Sequence, residues 1–502
     1  MDSIFGLSMW WILAVTSAFF LLCVVLVIFI ALTNRVIFRM ALRNIPRRKA
    51  QTVLIMCGLM LSTLIIAASL TTGDTLDYSL TKSSYDGLGQ TDETIAFVGN
   101  TDSDGEVATT NVPIDARIAD ELRALLADDP DVDAVMAMLT VSVPAVNVVG
   151  ELSEPSVTLT GIDGSQIDAF GGMTAPNGDS IDFNCATDAS RAFPVPQSIV
   201  DEVNQRGILG PDGTAIDLTG VIVQPAIISE SLADEVDARI DDSLVLFFDN
   251  KPYPVVVTAI AKDSILTGFA TGIDSVNMMG VAIPLAQVQE LTGLQGQARF
   301  IAVSNTGGVQ SGMRRTDNAS DALKGALATI EGGDQLGVNP IKADAVKGAE
   351  TVGNVFMSLF IVLGLFSAFA GILLIFLIFT MLAAERRAEM GMARAVGMKR
   401  MHLVQSFLSE GTIYALGAAL IGAIAGVGVA YVMALVMGQI IGDLFEITPH
   451  FSLRSLAVAY TLGVAVTFVT IVFASVRASR VNIVAAIRDL PDEATPSARS
   501  RP

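Results

Sequence analysis

Hydrophobic positions along the chain follow two regimes. Five runs contain no Asp, Glu, Lys or Arg: Met9 to Leu32, Ala50 to Gly73, Thr351 to Ala384, Gly411 to Gly442 and Ser455 to Val476. Each is long enough to cross a hydrocarbon core of roughly 30 Å, for which about 20 helical residues suffice. None shows the two-residue alternation of a membrane β-strand, so their backbone groups are expected to pair within helices. The runs predict five transmembrane helices. Between the second and third the pattern changes. Ile118, Leu122, Leu125 and Leu126 share one face of an amphipathic helix over Ile114 to Asp128. Val141 to Val149, Val157 to Ile162, Val221 to Val223 and Phe300 to Ser304 read as strands. Leu244 to Phe248 and Val255 to Ile260 form a hairpin through Asp249-Asn250-Lys251-Pro252, which has turn chemistry. Ser229 is placed to cap a helix beginning near Glu230, and Leu285 to Leu294 and Ala319 to Ile330 are helical in pattern. Asn177 to Ala192, rich in Asp, Gly, Ser and Asn, is the expected loop or subdomain boundary.

Composition agrees with a membrane protein. Charged residues make up 16% of the chain against about 25% in soluble domains. Of the 31 Lys and Arg, 16 fall in three short segments, Arg35 to Lys49, Arg386 to Arg400 and Arg477 to Arg501, which the positive-inside rule places in the cytoplasm. The N-terminus and the long segment from Thr71 to Glu350 are then outside, and the C-terminus inside. The first run is not a secretory signal, because Met1 to Ser8 holds Asp2 and no basic residue. The expected fold is an α-helical membrane protein with five transmembrane helices and a large α+β extracytoplasmic domain inserted between the second and third spans. Its expected place is the plasma (inner) membrane, multi-pass, with the large domain outside. The parts are an N-terminal span (1–33), an interfacial elbow (34–49), a span (50–73), the outer domain (74–350), a three-helix membrane domain (351–480) with a loop at 385–402, and a tail (481–502).

The outer segment carries 42 of the 51 acidic residues and 14 basic ones, a balance of −28. That excludes nucleic acid as a partner, which would need a basic face. The acidity has two readings, a solubility device or a cation-binding role. For catalytic chemistry the outer carboxylates could in principle form a general acid/base pair, but among 42 of them nearby pairs arise by chance. The chain has two histidines, His402 and His450, no Cys-x-x-Cys pair and no Gly-x-x-x-x-Gly-Lys run to cradle nucleotide phosphates. Asp237, Asp241 and Asp242 cluster without the spacing of a calcium loop. Cys23 and Cys57 lie in apolar runs and Cys185 is alone outside, so no disulfide forms within the outer domain. The expectation is a chain that is not an enzyme, with no catalytic residue, no metal ligand and no cofactor; if ATP powers it, another polypeptide binds the nucleotide.

Three motifs carry mechanism. Arg35, Arg39, Arg43 and Arg47 recur every fourth residue along one side of a helix, with Val36, Ile37, Met40 and Ala41 off that line. This suits an elbow helix lying in the cytoplasmic interface with its arginines on membrane lipid phosphates; the plainer alternative is a basic flank. In the fourth run Ala418, Gly422, Gly426 and Ala430 form a small-xxx-small stripe, which serves either a seam between two copies or packing within one bundle. The third run, 34 residues at 1.5 Å each, reaches roughly 50 Å, so it continues outward as a stalk or crosses as a tilted, over-long helix.

The pattern Glu389-x-Gly391-x-x-Arg394-Ala395-x-Gly397, followed by Glu410-Gly411 at the head of the next run, resembles the signature of the FtsX-like/MacB permease family. Ala41-Leu42-Arg43-Asn44 with Arg47 and Arg48 is similar to the helix that leads into that family's core, and the order of parts agrees. Two features depart from it: the extra first span, and the tail Val481 to Arg488, which only loosely follows the usual Pro-x-x-Ala-Leu-Arg ending. Both would also suit the first half of a longer, duplicated permease. The resemblance implies the permease subunit of an ABC transporter of the mechanotransmission type, working with a separate cytoplasmic ATPase and a second permease, identical or not. It implies that Glu389, Gly391, Arg394, Ala395 and Gly397 couple to the ATPase, and that the cargo is a lipid, lipoprotein, peptide or drug. The alternatives are a non-transporting scaffold that regulates an extracytoplasmic partner such as a cell-wall hydrolase, and a ligand sensor with no energy source.

Overall fold

The computed structural model describes residues 3–4, 7–44, 49–98, 112–147, 150–195, 197–207, 220–249, 251–268, 270–271, 276–277, 279–385, 392, 396–441 and 447–478. It divides into two compact units, one of Met1–Leu80 with Ala349–Pro502 and one of Thr81–Gly348.

The first unit is built from helices α1 (Met9–Thr33), α2 (Arg35–Asn44), α3 (Lys49–Leu88), α4 (Ile341–Glu385), α5 (Arg400–Ile441) and α6 (Leu453–Ala478); the division between units falls inside α3 and α4. All but α2 are long and apolar enough to cross a membrane. Residues that are apolar on every side distinguish such helices from amphipathic surface ones. In this unit α3 is central. Its Ile55 and Leu59 pack with Cys23, Val27 and Ile30 of α1, Leu408, Tyr414, Ala415 and Ala418 of α5, and Phe468, Ile471 and Ala474 of α6. Further along, its Ile66, Ala67 and Leu70 meet Ala423 of α5 and Val458 and Ala459 of α6.

The second unit is α+β. Its principal strands are β1 (Glu93–Phe97), β2 (Val132–Asn147), β3 (Leu152–Ile162), β4 (Ile222–Ser229), β5 (Ser243–Phe248), β6 (Lys251–Ala261), β7 (Gly280–Pro284), β8 (Phe300–Asn305) and β9 (Leu336–Asn339). Their order is β5-β6-β4-β7-β3-β2-β8-β1-β9, and β5 pairs back onto β2 through Leu244–Asn147, Val245–Val146 and Leu246–Ala145. That last pairing closes six strands, β2, β3, β7, β4, β6 and β5, into a barrel of mixed direction. Side chains alternate across a strand. One alternate set therefore fills the barrel: Leu139, Val143, Ala145, Val157, Leu159, Ala226, Ile228, Leu244, Leu246, Val255, Val257, Val281 and Ile283.

Strand β2 belongs to two layers. Beyond the barrel its first half pairs with β8, and β1 and β9 follow. Val135 and Ala137 face the helices Arg117–Leu125 and Thr316–Leu327, while Ala134, Met136 and Met138 face a second core with Ile162, Phe170, Phe183 and Leu266. The predicted hairpin is present with a loop of two residues, since Phe248 pairs with Lys251, and Asp249 takes φ +48°, as a tight two-residue turn requires. Lys251 and Pro252, read as turn residues from their chemistry, already belong to β6. Pro252 and Pro254 are tolerated there because β4 begins to pair with β6 only at Val255. Asn177 to Ala192 is more ordered than its composition implied: it contains the helical turn Phe183–Ala186, capped by Asp182 and packed through Phe183.

Candidate functional site

The stripe of small residues on α5 lies against α3 of the same chain. A Cβ added at Gly422 would sit 2.6 Å from the Met60 carbonyl oxygen, and one at Gly426 would sit 2.6 Å from both Ala67 Cβ and the Leu64 carbonyl oxygen. Ala418 and Ala430 are buried along the same line. From α6, Gly463 closes on Thr63 with 2.3 Å between its would-be Cβ and Oγ1. Helix α4 uses the same device: Gly353, Gly364 and Gly371 approach Asp77, Ser69 and Ser62 of α3. Close backbone approach of this kind is how apolar helices associate when lipid removes the hydrophobic driving force. Of the two readings of the α5 stripe, the geometry is that of packing within one bundle.

One end of α3 is fastened to the segment before α6. Asp74 accepts hydrogen bonds from the Ser452 backbone N–H (3.2 Å) and the Ser455 hydroxyl (3.0 Å), so a carboxylate sits at the positive end of the α6 dipole. Thr75 donates to the His450 carbonyl at 2.8 Å, Thr448 N donates to Ser79 Oγ at 3.0 Å, and the Tyr78 and His450 rings stack with centroids 4.1 Å apart. At the other end Tyr414 of α5 donates to the buried Glu410 of the same helix at 3.0 Å, and its hydroxyl lies 3.3 Å from Thr52 Oγ1 of α3.

Helix α2 buries only part of the apolar set that lies off the arginine line. Ile37 and Ala41 are buried, Asn34 Nδ2 donates to Gln405 Oε1 of α5 at 2.9 Å, and Arg35, Arg39 and Arg43 are exposed on the opposite side beside exposed Val36 and Met40. Arg47 lies outside the described residues. So do Glu389, Gly391, Arg394 and Ala395 of the loop pattern; Gly397 is described, with φ +104° and open space where a Cβ would stand.

These helices are also where comparison with known proteins lands. Residues 361–483, from within α4 through α5 and α6, match the sequence model of the family described as FtsX-like permease C-terminal. That stretch of the chain is similar to the C-terminal part of FtsX-like permeases. No curated protein matches it. Among solved structures it is similar to the crystal structure of the periplasmic region of MacB from Actinobacillus actinomycetemcomitans, at 16% identity, over 52% of this chain and 92% of that one, with a TM-score of 0.29.

The second unit holds a feature that the pattern of the sequence did not reveal. Lys342, in the first turn of α4, donates through Nζ to Asp92 Oδ1 at 2.8 Å and to the Val309 carbonyl at 3.2 Å. Asp92 Oδ2 accepts from the Asn305 backbone N–H at 2.9 Å, and Asn305 Nδ2 donates to Glu93 Oε1 at 2.8 Å. Burial pushes both carboxyls up, Glu93 to about 7, with the neighbouring Asp92 charge adding to it. Among the described residues no cluster of three His, Cys, Asp or Glu side chains is placed to hold a metal ion.

Proposed function

We propose that the chain is the membrane-spanning permease subunit of an ABC transporter of the mechanotransmission type, multi-pass in the plasma (inner) membrane with its α+β unit outside. A separate cytoplasmic ATPase supplies the energy, and a second permease completes the assembly. The observation that carries this reading is the family match over residues 361–483, which takes in α5, α6 and most of α4. The chain has no phosphate-cradling Gly-x-x-x-x-Gly-Lys run of its own, in keeping with an ATPase on another polypeptide. Helix α4 supports a relay by its length: its 45 residues run unbroken from Ile341 to the edge of the loop that holds Glu389 and Gly391. At 1.5 Å per residue that is roughly 67 Å, about twice the hydrocarbon thickness. Closure of an ATPase against that loop and the exposed arginines of α2 would move α4 against α3 along Gly353, Gly364 and Gly371. The cargo class is a lipid, lipoprotein, peptide or drug met at or beyond the outer leaflet.

The test is affinity purification of the tagged chain from detergent-solubilised native membranes, followed by mass spectrometry and ATPase assay. Recovery of a P-loop ATPase whose hydrolysis rate depends on this chain is the expected result. Its clean absence, with an extracellular hydrolase recovered instead, would replace the transporter reading by that of a regulatory scaffold.

A further inference from the structure

Two carboxylates and one ammonium are shut together where β1 begins and α4 starts. Asp92, Glu93 and Lys342 are all 0% exposed. Asp92 is fully engaged, one oxygen with Lys342 and the other with the Asn305 backbone. Glu93 is not. Its Oε1 receives Asn305 Nδ2 and the buried Thr316 hydroxyl is turned toward the carboxylate as the one further donor, but Oε2 and Asn305 Oδ1, both buried, have no hydrogen-bond partner. Oε2 and Oδ1 are acceptors only, so this pocket holds more acceptors than donors.

The charges are out of balance in the same sense. Asp92 and Lys342 are the titratable groups that act on Glu93. Strands β8 and β9, which flank β1, contain no ionisable residue. The helix Thr316–Leu327 turns its Thr316 inward, while Asp317 and Arg314 are exposed and Arg315 is taken by Asp131 and the Pro130 carbonyl. With both carboxylates ionised, one negative charge is left without a counter-charge, in a space where an unpaired charge is costly. One proton on Glu93 cancels that charge and supplies the missing donor.

We propose that Glu93 is a proton-binding site, and that its occupancy sets how firmly the first turn of α4 is held to the start of β1. With Glu93 neutral, the Lys342 ammonium has Asp92 as its one carboxylate counter-charge, and the Lys342 backbone N–H stays on the Asp92 carbonyl at 3.2 Å. With Glu93 ionised, the surplus charge draws water into the pocket and loosens that contact. The desolvation that lifts Glu93 to about 7 places the change near neutral pH.

The experiment is infrared difference spectroscopy of the full chain in lipid nanodiscs between about pH 5 and about pH 9. The wild type is expected to show the carbonyl stretch of a protonated carboxylic acid that disappears with a midpoint near pH 7. Glu93→Gln removes that band, and Lys342→Met moves its midpoint to higher pH because the ammonium no longer favours the ionised form. In hydrogen exchange at about pH 8, the segments 92–95 and 341–345 are expected to exchange several-fold more slowly in Glu93→Gln than in the wild type. Absence of a titrating band in the wild type, its survival in Glu93→Gln, an unmoved midpoint in Lys342→Met, or equal exchange at pH 8 would each overturn the proposal. Should the Gln variant not fold, the wild-type titration and the Lys342→Met midpoint decide.

Discussion

Lys342 and Asp92 form a fully buried ion pair at 2.8 Å although 250 residues separate them in the chain. Asp92 lies four residues after the end of α3, and Lys342 is the second residue of α4. The pair lies just beyond the β1–β9 ladder and, with it, joins the stretches of chain near the start and end of the α+β unit.

Removing one partner of such a pair leaves the other charged and dry. Lys342→Met is expected to destabilise the α+β unit by about 3–5 kcal/mol. The double variant Asp92→Asn with Lys342→Met should recover part of that loss, because neither charge remains. Thermal unfolding of the purified full chain reads both, and equal stability of the single and double variants would contradict the pairing.

The pH dependence follows from Glu93. Its carboxyl is raised from the ordinary 4.5 to about 7, chiefly by burial. The folded state therefore binds more protons than the unfolded state between those values, and stability falls as pH rises through that window. The group's contribution is complete below about pH 4.5, is lost by about pH 7 and changes little above. The loss amounts to about 3 kcal/mol, and Asp92, also raised by burial, acts in the same direction. Denaturant unfolding from pH 5 to pH 8 should show the decline, and Glu93→Gln should flatten it.

The sequence pattern disclosed the helices and the hairpin but not what lies at the base of the α+β unit. Runs without charge mark the stretch that lipid would tolerate, not the helix. Thus α4 begins at Ile341, ten residues before the uncharged run, and continues through Lys342, Asp344, Lys347 and Glu350. Strand β2 was legible only from Val141, because its first half is buried on both faces and reads as the unbroken apolar run Ala134-Val-Met-Ala-Met-Leu139 without alternation. Asp92, Glu93 and Lys342 look like solvated flanks in one dimension; only pairing of β1 with β8 and β9 brings them under cover. The glycine stripe of α5 was visible by its spacing, yet spacing does not name the partner helix. Gly353, Gly364 and Gly371 of α4 fall eleven and seven residues apart, a one-sided pattern without a short repeat to announce it.

Ser229 joins a helix to a strand. Its side chain accepts from Leu232 N at 3.2 Å, capping the helix Glu230–Glu235, and from Gly280 N of β7 at 2.9 Å, with no exposure to water. Ser229→Ala leaves two buried donors unpaired and is expected to cost about 2 kcal/mol or more. A shift of the thermal midpoint with no change in secondary-structure content is the outcome to look for; an unshifted midpoint would mean that water replaces the hydroxyl.

Coupling is tested at the loop. If the proposed ATPase couples there, Glu389→Lys and Gly391→Trp are expected to leave insertion and gel-filtration behaviour unchanged while abolishing any dependence of its ATP hydrolysis on this chain. Retention of full coupling in both variants would remove these residues from the coupling element.

Three glycines of α5 differ in what surrounds them, which makes an internally controlled test of the bundle. Gly422 and Gly426 have backbone or Cβ atoms of α3 within 2.6 Å of any added Cβ, whereas Gly428 has open space. All three lie in the same helix, so the intrinsic gain in helix propensity on replacement by Ala is shared. What differs is the clash. Gly422→Ala or Gly426→Ala must push α5 away from α3 or distort it, and overpacking of this kind costs about 1–3 kcal/mol. Thermal denaturation in detergent should show both variants less stable than the wild type, and Gly428→Ala equal to it or slightly more stable. Equal behaviour of all three would mean that α5 does not sit on α3, and would return the stripe to the reading in which a second copy of the chain packs there.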